Sequence, residues 1–494
     1  MNAEEPFDAT ALADTVLVSS DNEHFYVLGA FLRYASPTFR DLFSLSQGPA
    51  ADENEIKDGY PVIPLPEDGK TVHYLLSVIH PYIDKPKLND SRLLIKVWKM
   101  AEKYGMDTVV GKLQKQLLKD RWMETQPHKV FAIAMIFGWK DGAERAKQSL
   151  ASWILVPYCG EFEDISGTDY YELLKDRFRD CEPGASDSAG DGDSGDSIDS
   201  VEANDQNASE SFDSSPMTDI ILRSLDAVDF YVSRSFLQII SPAFAKLFSD
   251  TKDSDIKSGL SVVHVADHSK ALRYFLLLLH HRMDKPPAND PGLIADICMV
   301  ARKYDISAIE ARMKEQLTAS SSLVKEPLRV YAIATALGWA DVAKAAAKNT
   351  LNTPLEEAVT CVPELRRITG GDLHRLVDYR RWCARVACGI VEKSQLHLNF
   401  GPGRLFTDLR DKALRELEEA GYPDAYRSID VVKDLKACPR GSTYTNIYVQ
   451  LMDVLGLHHK QHYWLVRDVV GYVRCQKDVE EAIEKGIDKV AIQP

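Results

Sequence analysis

Strand-like and helix-like stretches of apolar residues follow one another along this chain in a fixed order. At residues 15–18 and 25–27, β-branched and aromatic side chains cluster in runs of strand length, which predicts two short strands. Ser36-Pro37 then reads as a helix start. A serine hydroxyl can accept a free backbone N–H at the N-cap, and proline suits the first helical position. Phe39, Leu42 and Phe43 follow at i, i+3 and i+4, one buried helical face. Pro61-Val-Ile-Pro-Leu predicts a further short strand, confined by its prolines to an edge or a strand start. Three helices are expected next. Val72, Leu75, Leu76 and Ile79 form one stripe, Leu94, Val97, Trp98 and Ala101 a second, and Val110, Leu113 and Leu117 a third with Asp107 as its cap.

The same pattern then recurs. From Asp14 the chain matches itself at Asp219 without gaps for thirty residues, fourteen of them identical, including Phe25-Tyr-Val with Phe230-Tyr-Val. After a five-residue loss in the polar stretch 44–52 the match resumes 200 residues apart, through Asp84-Lys-Pro, Lys103-Tyr104, Ala132-Ile-Ala and Gly138-Trp139. The helical stripes reappear as Leu272, Phe275, Leu276, Leu279; Ile294, Ile297, Cys298, Ala301; and Ile309, Met313, Leu317. A unit of this length is far longer than a solenoid repeat, so the duplication predicts two separately folded units. The architecture expected of each is α+β: a small mixed sheet covered by helices, followed by a helical extension.

Composition changes the picture between the copies. Residues 182–216 hold ten acids, nine serines and no lysine or arginine. Too little apolar surface is present there to offset the entropy of ordering, so the segment reads as a disordered linker. It carries ten of the fifteen net negative charges of the chain. As a flexible coil it would span roughly 30–35 Å, and Ser188, three residues before Asp191, is its best-placed phosphoacceptor. A net charge of −15 argues against nucleic acid or an anionic membrane as the main partner. Eight cysteines without a Cys-x-x-Cys pair fit a reducing, intracellular compartment. No stretch approaches the ~20 apolar residues of a membrane span, and the start lacks the pattern of a signal peptide.

The run Phe31-Leu-Arg-Tyr-Ala-Ser-Pro-Thr-Phe-Arg-Asp-Leu-Phe, echoed by Phe236-Leu-Gln-Ile-Ile-Ser-Pro-Ala-Phe-Ala-Lys-Leu-Phe, resembles the BTB/POZ domain. Asp14 and Asp219 match the aspartate that precedes the first strand of that family. A BTB unit followed by a helical extension is similar to the BTB proteins abundant in mushroom-forming fungi. Ile165-Ser-Gly-Thr-Asp and Ile368-Thr-Gly-Gly-Asp correspond to an element of their extensions. The resemblance implies a non-enzymatic scaffold or adaptor that binds proteins, with homodimerisation or pairing of the two copies within one chain, and with cullin recruitment as an alternative. Two family features are missing. Residues 6–13 and 211–217 leave little room for a swapped N-terminal helix, and residues 44–48 and 249–252 lack the glutamate that some cullin adaptors carry.

The division expected is a BTB/POZ-like domain over 1–125, a helical extension over 126–181, the linker over 182–216, a second domain over 217–322, a second extension over 323–393, and a C-terminal helical segment over 394–494. That segment shows stripes at Phe406, Leu409, Ala413, Leu417 and at Tyr444, Ile447, Tyr448, Leu451, Leu455. It either completes the second extension or forms a module of its own. Candidate chemistry is sparse. His458 and His462 have the i, i+4 spacing of metal ligands but no third partner, so they read first as surface histidines, and a metal site or enzyme there is the remote alternative. Cys383 and Cys388 read as buried thiols, Gly401-Pro-Gly403 as a turn, and Trp139 and Trp339 as anchors of the extensions. No catalytic, cofactor-binding or metal residue is assigned, and no cofactor is expected.

Overall fold

The computed structural model describes residues 2–45, 56–80, 89–150, 156–179, 218–250, 255–280, 290–398, 431–444 and 466–492. The chain divides into two compact units, Met1–Ile165 and Ser166–Pro494.

In the first unit, β1 (Thr15–Val18) and β2 (His24–Val27) form an antiparallel hairpin. The chain then crosses over through α1 (Gly29–Ala35) and α2 (Pro37–Leu45), which allows β4 (Tyr60–Pro64) to run parallel to β1. A two-residue strand β3 (Ile56–Lys57) hairpins onto β4 and completes the order β2-β1-β4-β3. Its turn, Asp58-Gly59, has positive φ at both residues, the geometry that suits the twist of a tight hairpin. Helices α3 (Gly69–Ile79), α4 (Ser91–Lys103) and α5 (Asp107–Leu117) cover the sheet. Val72, Leu75, Leu94, Val97 and Trp98 are buried as their stripes predict. The α5 stripe differs by one residue: Val109, not Val110, is buried with Leu113 and Leu117. Asp107 is the first helical residue rather than the cap, a place where its charge still complements the helix dipole. Helices α6 (Asp120–Thr125), α7 (Pro127–Ile136) and α8 (Lys140–Leu150) and a 3₁₀ turn at Gly160–Asp164 form the extension.

The second unit starts with α9 (Gly167–Arg179) and repeats the sheet with β5 (Ile220–Arg223), β6 (Asp229–Val232), β7 (Ile256–Lys257) and β8 (Leu260–His264) in the order β6-β5-β8-β7. Register is preserved. Ile221 lies opposite Tyr231 as Val16 lies opposite Tyr26, and Leu222 pairs Val263 as Leu17 pairs Ile63. Helices α10 (Arg234–Ile240), α11 (Pro242–Asp250), α12 (Ser269–Leu279), α13 (Pro291–Lys303) and α14 (Ser307–Ala319) take the places of α1 to α5. The short α15 (Ser322–Lys325), then α16 (Pro327–Ala336), α17 (Ala340–Asn349) and α18 (Leu355–Ala358) lead to α19 (Gly370–Leu398).

Helix α9 packs against α19 inside this unit. The two start side by side. Ser166 bridges Thr369, Gly167 N donates to Ile368 O at 2.8 Å, and the Tyr170 hydroxyl lies 2.7 Å from His374 Nδ1. The shared Ser/Thr-x-x-Asp motif is a reciprocal cap. Asp169 N donates to Ser166 Oγ while Asp169 accepts from Ser166 N, and Thr369 and Asp372 do the same. Two further helices, α20 (Val431–Ala437) and α21 (Val466–Asp488), also pack on α19. Ile483 and Ile487 of α21 are fully buried. Its acids Glu484 and Asp488 bind Lys348 at 3.3 and 2.6 Å, and Glu484 binds Arg440 at 3.0 Å. The described part of the C-terminal segment thus packs on α19.

Candidate interaction surface

The positions identical between the two copies build an internal latch. Ser36 caps α2 by accepting from Phe39 N at 3.0 Å, and its hydroxyl donates to the Tyr104 carbonyl. Ser241 repeats this, with Phe244 N at 3.2 Å and the Tyr304 carbonyl at 2.5 Å. The Phe39 ring stacks on Tyr104 at 4.7 Å, and Phe244 on Tyr304 at 4.0 Å. Lys103 and the Tyr104 hydroxyl share Glu67, at 2.7 and 3.1 Å, and Lys303 and Tyr304 share Asp267, at 2.8 and 2.7 Å. Burial, together with the Asp267 carboxylate, pushes the Tyr304 phenol far above its ordinary range. Asp14 and Asp219 each accept from the first amide of the following helix, Gly29 N at 2.5 Å and Arg234 N at 2.6 Å. These residues hold cap, helices and sheet together within each copy.

What remains exposed is also repeated. Tyr34 on α1 is 92% exposed and Ile239, its equivalent on α10, 84%. Ile56 and Ile256, on the edge strands β3 and β7, are 70% and 72% exposed. The geometry explains each pair. Leu32 and Leu237 are the buried side of α1 and α10, and a residue two further along points away from it. Ile56 and Ile256 each lie on the last strand of a four-stranded sheet, with no further strand beside it among the described residues. Single exposed apolar residues are ordinary, but the same ones at equivalent places in both copies mark surfaces suited to contact. Tyr34 and Ile239 are not among the residues singled out from the sequence; the one local signal they carry is an apolar residue out of helical phase at the same position in both copies.

The first unit also holds a cavity of about 340 Å³ where the chain's start passes α1 and α3. Phe7, Leu12, Phe31, Leu76, Ile79 and His80 line it, so it is apolar with one imidazole at its wall.

The residues singled out for chemistry are not brought together. His458 and His462, Gly401–Gly403, Asp84-Lys-Pro, Asp284-Lys-Pro, Ser188 and the segment 182–216 lie outside the described residues. So do the stripe at 406–417 and all of the 444–455 stripe except Tyr444, which is buried. Cys383 and Cys388 are buried in α19, and burial pushes the Cys383 thiol up to about 11, far from a reactive thiolate. Trp139 lies 5.9 Å from Trp98 of α4, while Trp339 is buried and donates to Glu310 of α14 at 2.9 Å. Among the described residues no three metal-ligating side chains gather, and no helix is long and apolar enough to cross a membrane.

Two small four-stranded sheets under helices, latched internally and repeating their exposed apolar positions, define a module built for surfaces. The sequence model of the BTB/POZ domain matches the chain twice, over residues 3–121 and 208–321. The chain is a tandem BTB/POZ-domain protein, and such domains are non-enzymatic modules of protein interaction and dimerisation. No curated protein matches the chain.

Proposed function

We propose that the chain is an intracellular, non-enzymatic scaffold or adaptor whose two BTB/POZ domains bind partner proteins and pair with each other within one chain. In this reading the domains span 1–125 and 217–322, each followed by its extension, and the linker keeps the copies at roughly millimolar effective concentration. The observation that supports it is the recurrence of exposed apolar residues at Tyr34 and Ile239. An apolar residue on the same helix of both copies is what a self-complementary contact requires. Proteins are the expected partners. The net charge of −15 disfavours nucleic acid and anionic membranes.

Light scattering on the purified full chain tests the pairing. A particle of about 55 kDa is expected at all concentrations. Twice that mass, reduced to one by Tyr34→Glu or Ile239→Glu, would place the contact between chains and sink the intramolecular reading. Affinity purification from the source cells tests the scaffold role, with bound proteins lost in the Tyr34→Glu, Ile239→Glu double variant. A cullin among them would turn the scaffold into an adaptor of a ubiquitin ligase.

A further inference from the structure

The motif that opens the last helix of each extension occurs once per copy, and the two occurrences meet. Ile165-Ser-Gly-Thr-Asp leads into α9 and Ile368-Thr-Gly-Gly-Asp into α19, so Ser166, Gly167 and Leu173 correspond to Thr369, Gly370 and Leu376. By sequence α9 belongs to the first copy. In space it is an element of the second unit, where it packs on α19 and on the 3₁₀ turn Pro363–Arg367.

The contact has the form of a twofold. Ser166 bridges Thr369 in the antiparallel sense, so each residue faces its own equivalent. Like segments paired in this way are related by a local twofold axis, as in an isologous contact between identical subunits. Leu173 and its equivalent Leu376 are both buried, so the same face of each helix is covered.

The fit is close. A Cβ on Gly167 would lie 2.7 Å from the Leu365 carbonyl oxygen and 3.0 Å from Ile368 Cγ1. Gly167 is not among the glycines with positive φ, so packing rather than backbone freedom requires it. One turn further on, Tyr170 is fully buried against His374, itself buried. His374 Nε2 lies 3.0 Å from the Asp378 carboxylate, which places the ring proton there and leaves Nδ1 to accept from the Tyr170 hydroxyl at 2.7 Å. A buried phenol needs such a partner, and this one is met only when α9 is seated.

We infer that the α9–α19 contact is what joins the two copies within one chain, so that they stay together without the acidic segment that links them in sequence. The inference rests on the intrachain pairing proposed above and names the elements that make it. α9 follows the first unit directly, with no residue between Ile165 and Ser166, and it is seated in the second unit by its own side chains and backbone. The covalent link through residues 182–216 adds only effective concentration to that hold.

Cutting the chain tests this. A protease recognition sequence flanked by glycines and serines, inserted between Gly195 and Asp196, lets the full chain be cleaved after α9 and before β5. Size-exclusion chromatography with light scattering should then find both pieces in one particle of about 55 kDa down to micromolar concentration. Gly167→Ala should raise the concentration at which the pieces part by about tenfold or more, although alanine favours a helix over glycine. Gly167→Val should part them outright. Wild-type pieces that separate on cleavage would overturn the inference, and so would Gly167→Val pieces that hold as firmly as the wild type. If Gly167→Val fails to fold uncut, Gly167→Ala decides. The cleaved Tyr34→Glu, Ile239→Glu double variant should stay joined; separation there would move the hold to the BTB/POZ faces and overturn the role given to α9. The mass of the uncut chain, read first, shows whether pairing lies within one chain, so a failure of that reading is seen apart from a failure of this one.

Discussion

Ser36 and Ser241 each do two jobs with one hydroxyl, capping a helix and holding the carbonyl of a distant tyrosine. Removing that hydroxyl leaves a buried carbonyl and a helix amide unpaired. Ser241→Ala should therefore cost about 1–3 kcal/mol in denaturant unfolding. Charge at single residues gives a pH signature. The Arg223 guanidinium, with Lys257 beside it, holds the Asp229 carboxyl down at about 2. The Ser269 hydroxyl does the same for Asp226, again to about 2. Both folded values lie below the ordinary 3.8. Their stabilising effect is therefore complete above that value and is lost as pH falls towards 2. Asp229→Asn should be less stable than the wild type at neutral pH, and the gap should close between about pH 4 and 2. A gap that stays constant in acid unfolding experiments would show that Asp229 acts through shape alone.

At the scale of elements, the extensions are where the two copies differ. The first ends at the 3₁₀ turn Gly160–Asp164 of its own unit, whereas the second unit adds α9 and α21, which both pack on α19. Ile483 and Ile487 carry the packing of α21 with almost no exposed surface. Ile483→Ala should destabilise the second unit by about 2–5 kcal/mol, depending on how far the helices collapse into the gap. Tyr170→Phe is a milder probe of α9, because it deletes only the hydroxyl that meets His374. A loss of about 1–2 kcal/mol in the same unfolding assay is expected. Repetition of the capping motif at Ser166 and Thr369 was visible in the sequence. That the two caps lie against each other was not, because nothing local to either motif states its partner.

For the whole molecule, the duplication is the organising fact. It says that what one copy does structurally the other can do, and the latch of Ser36, Phe39 and Tyr104 recurs atom for atom in kind. The exposed apolar position on the first crossover helix is kept as well, as Tyr34 in one copy and Ile239 in the other. That pattern fits a pair of like modules whose contact faces correspond. The light-scattering mass and its response to substitution at those two residues test it on the intact protein.

The amino-acid order alone determined the two α+β units, their strands and helical stripes, and the buried faces at Phe39, Leu75 and Leu94. Those follow from periodicity and from propensity, which act over a few residues. It placed the α5 stripe one residue off and took Asp107 for a cap, since a helix start with no side-chain cap leaves no local sign. Tertiary structure decided which repeated motifs meet, that α21 closes on α19, that the chain's first residues pair with β2, and which apolar residues stay outside. Each of those depends on a partner far away in the chain, and separation in sequence carries no information about contact until the fold brings the groups together.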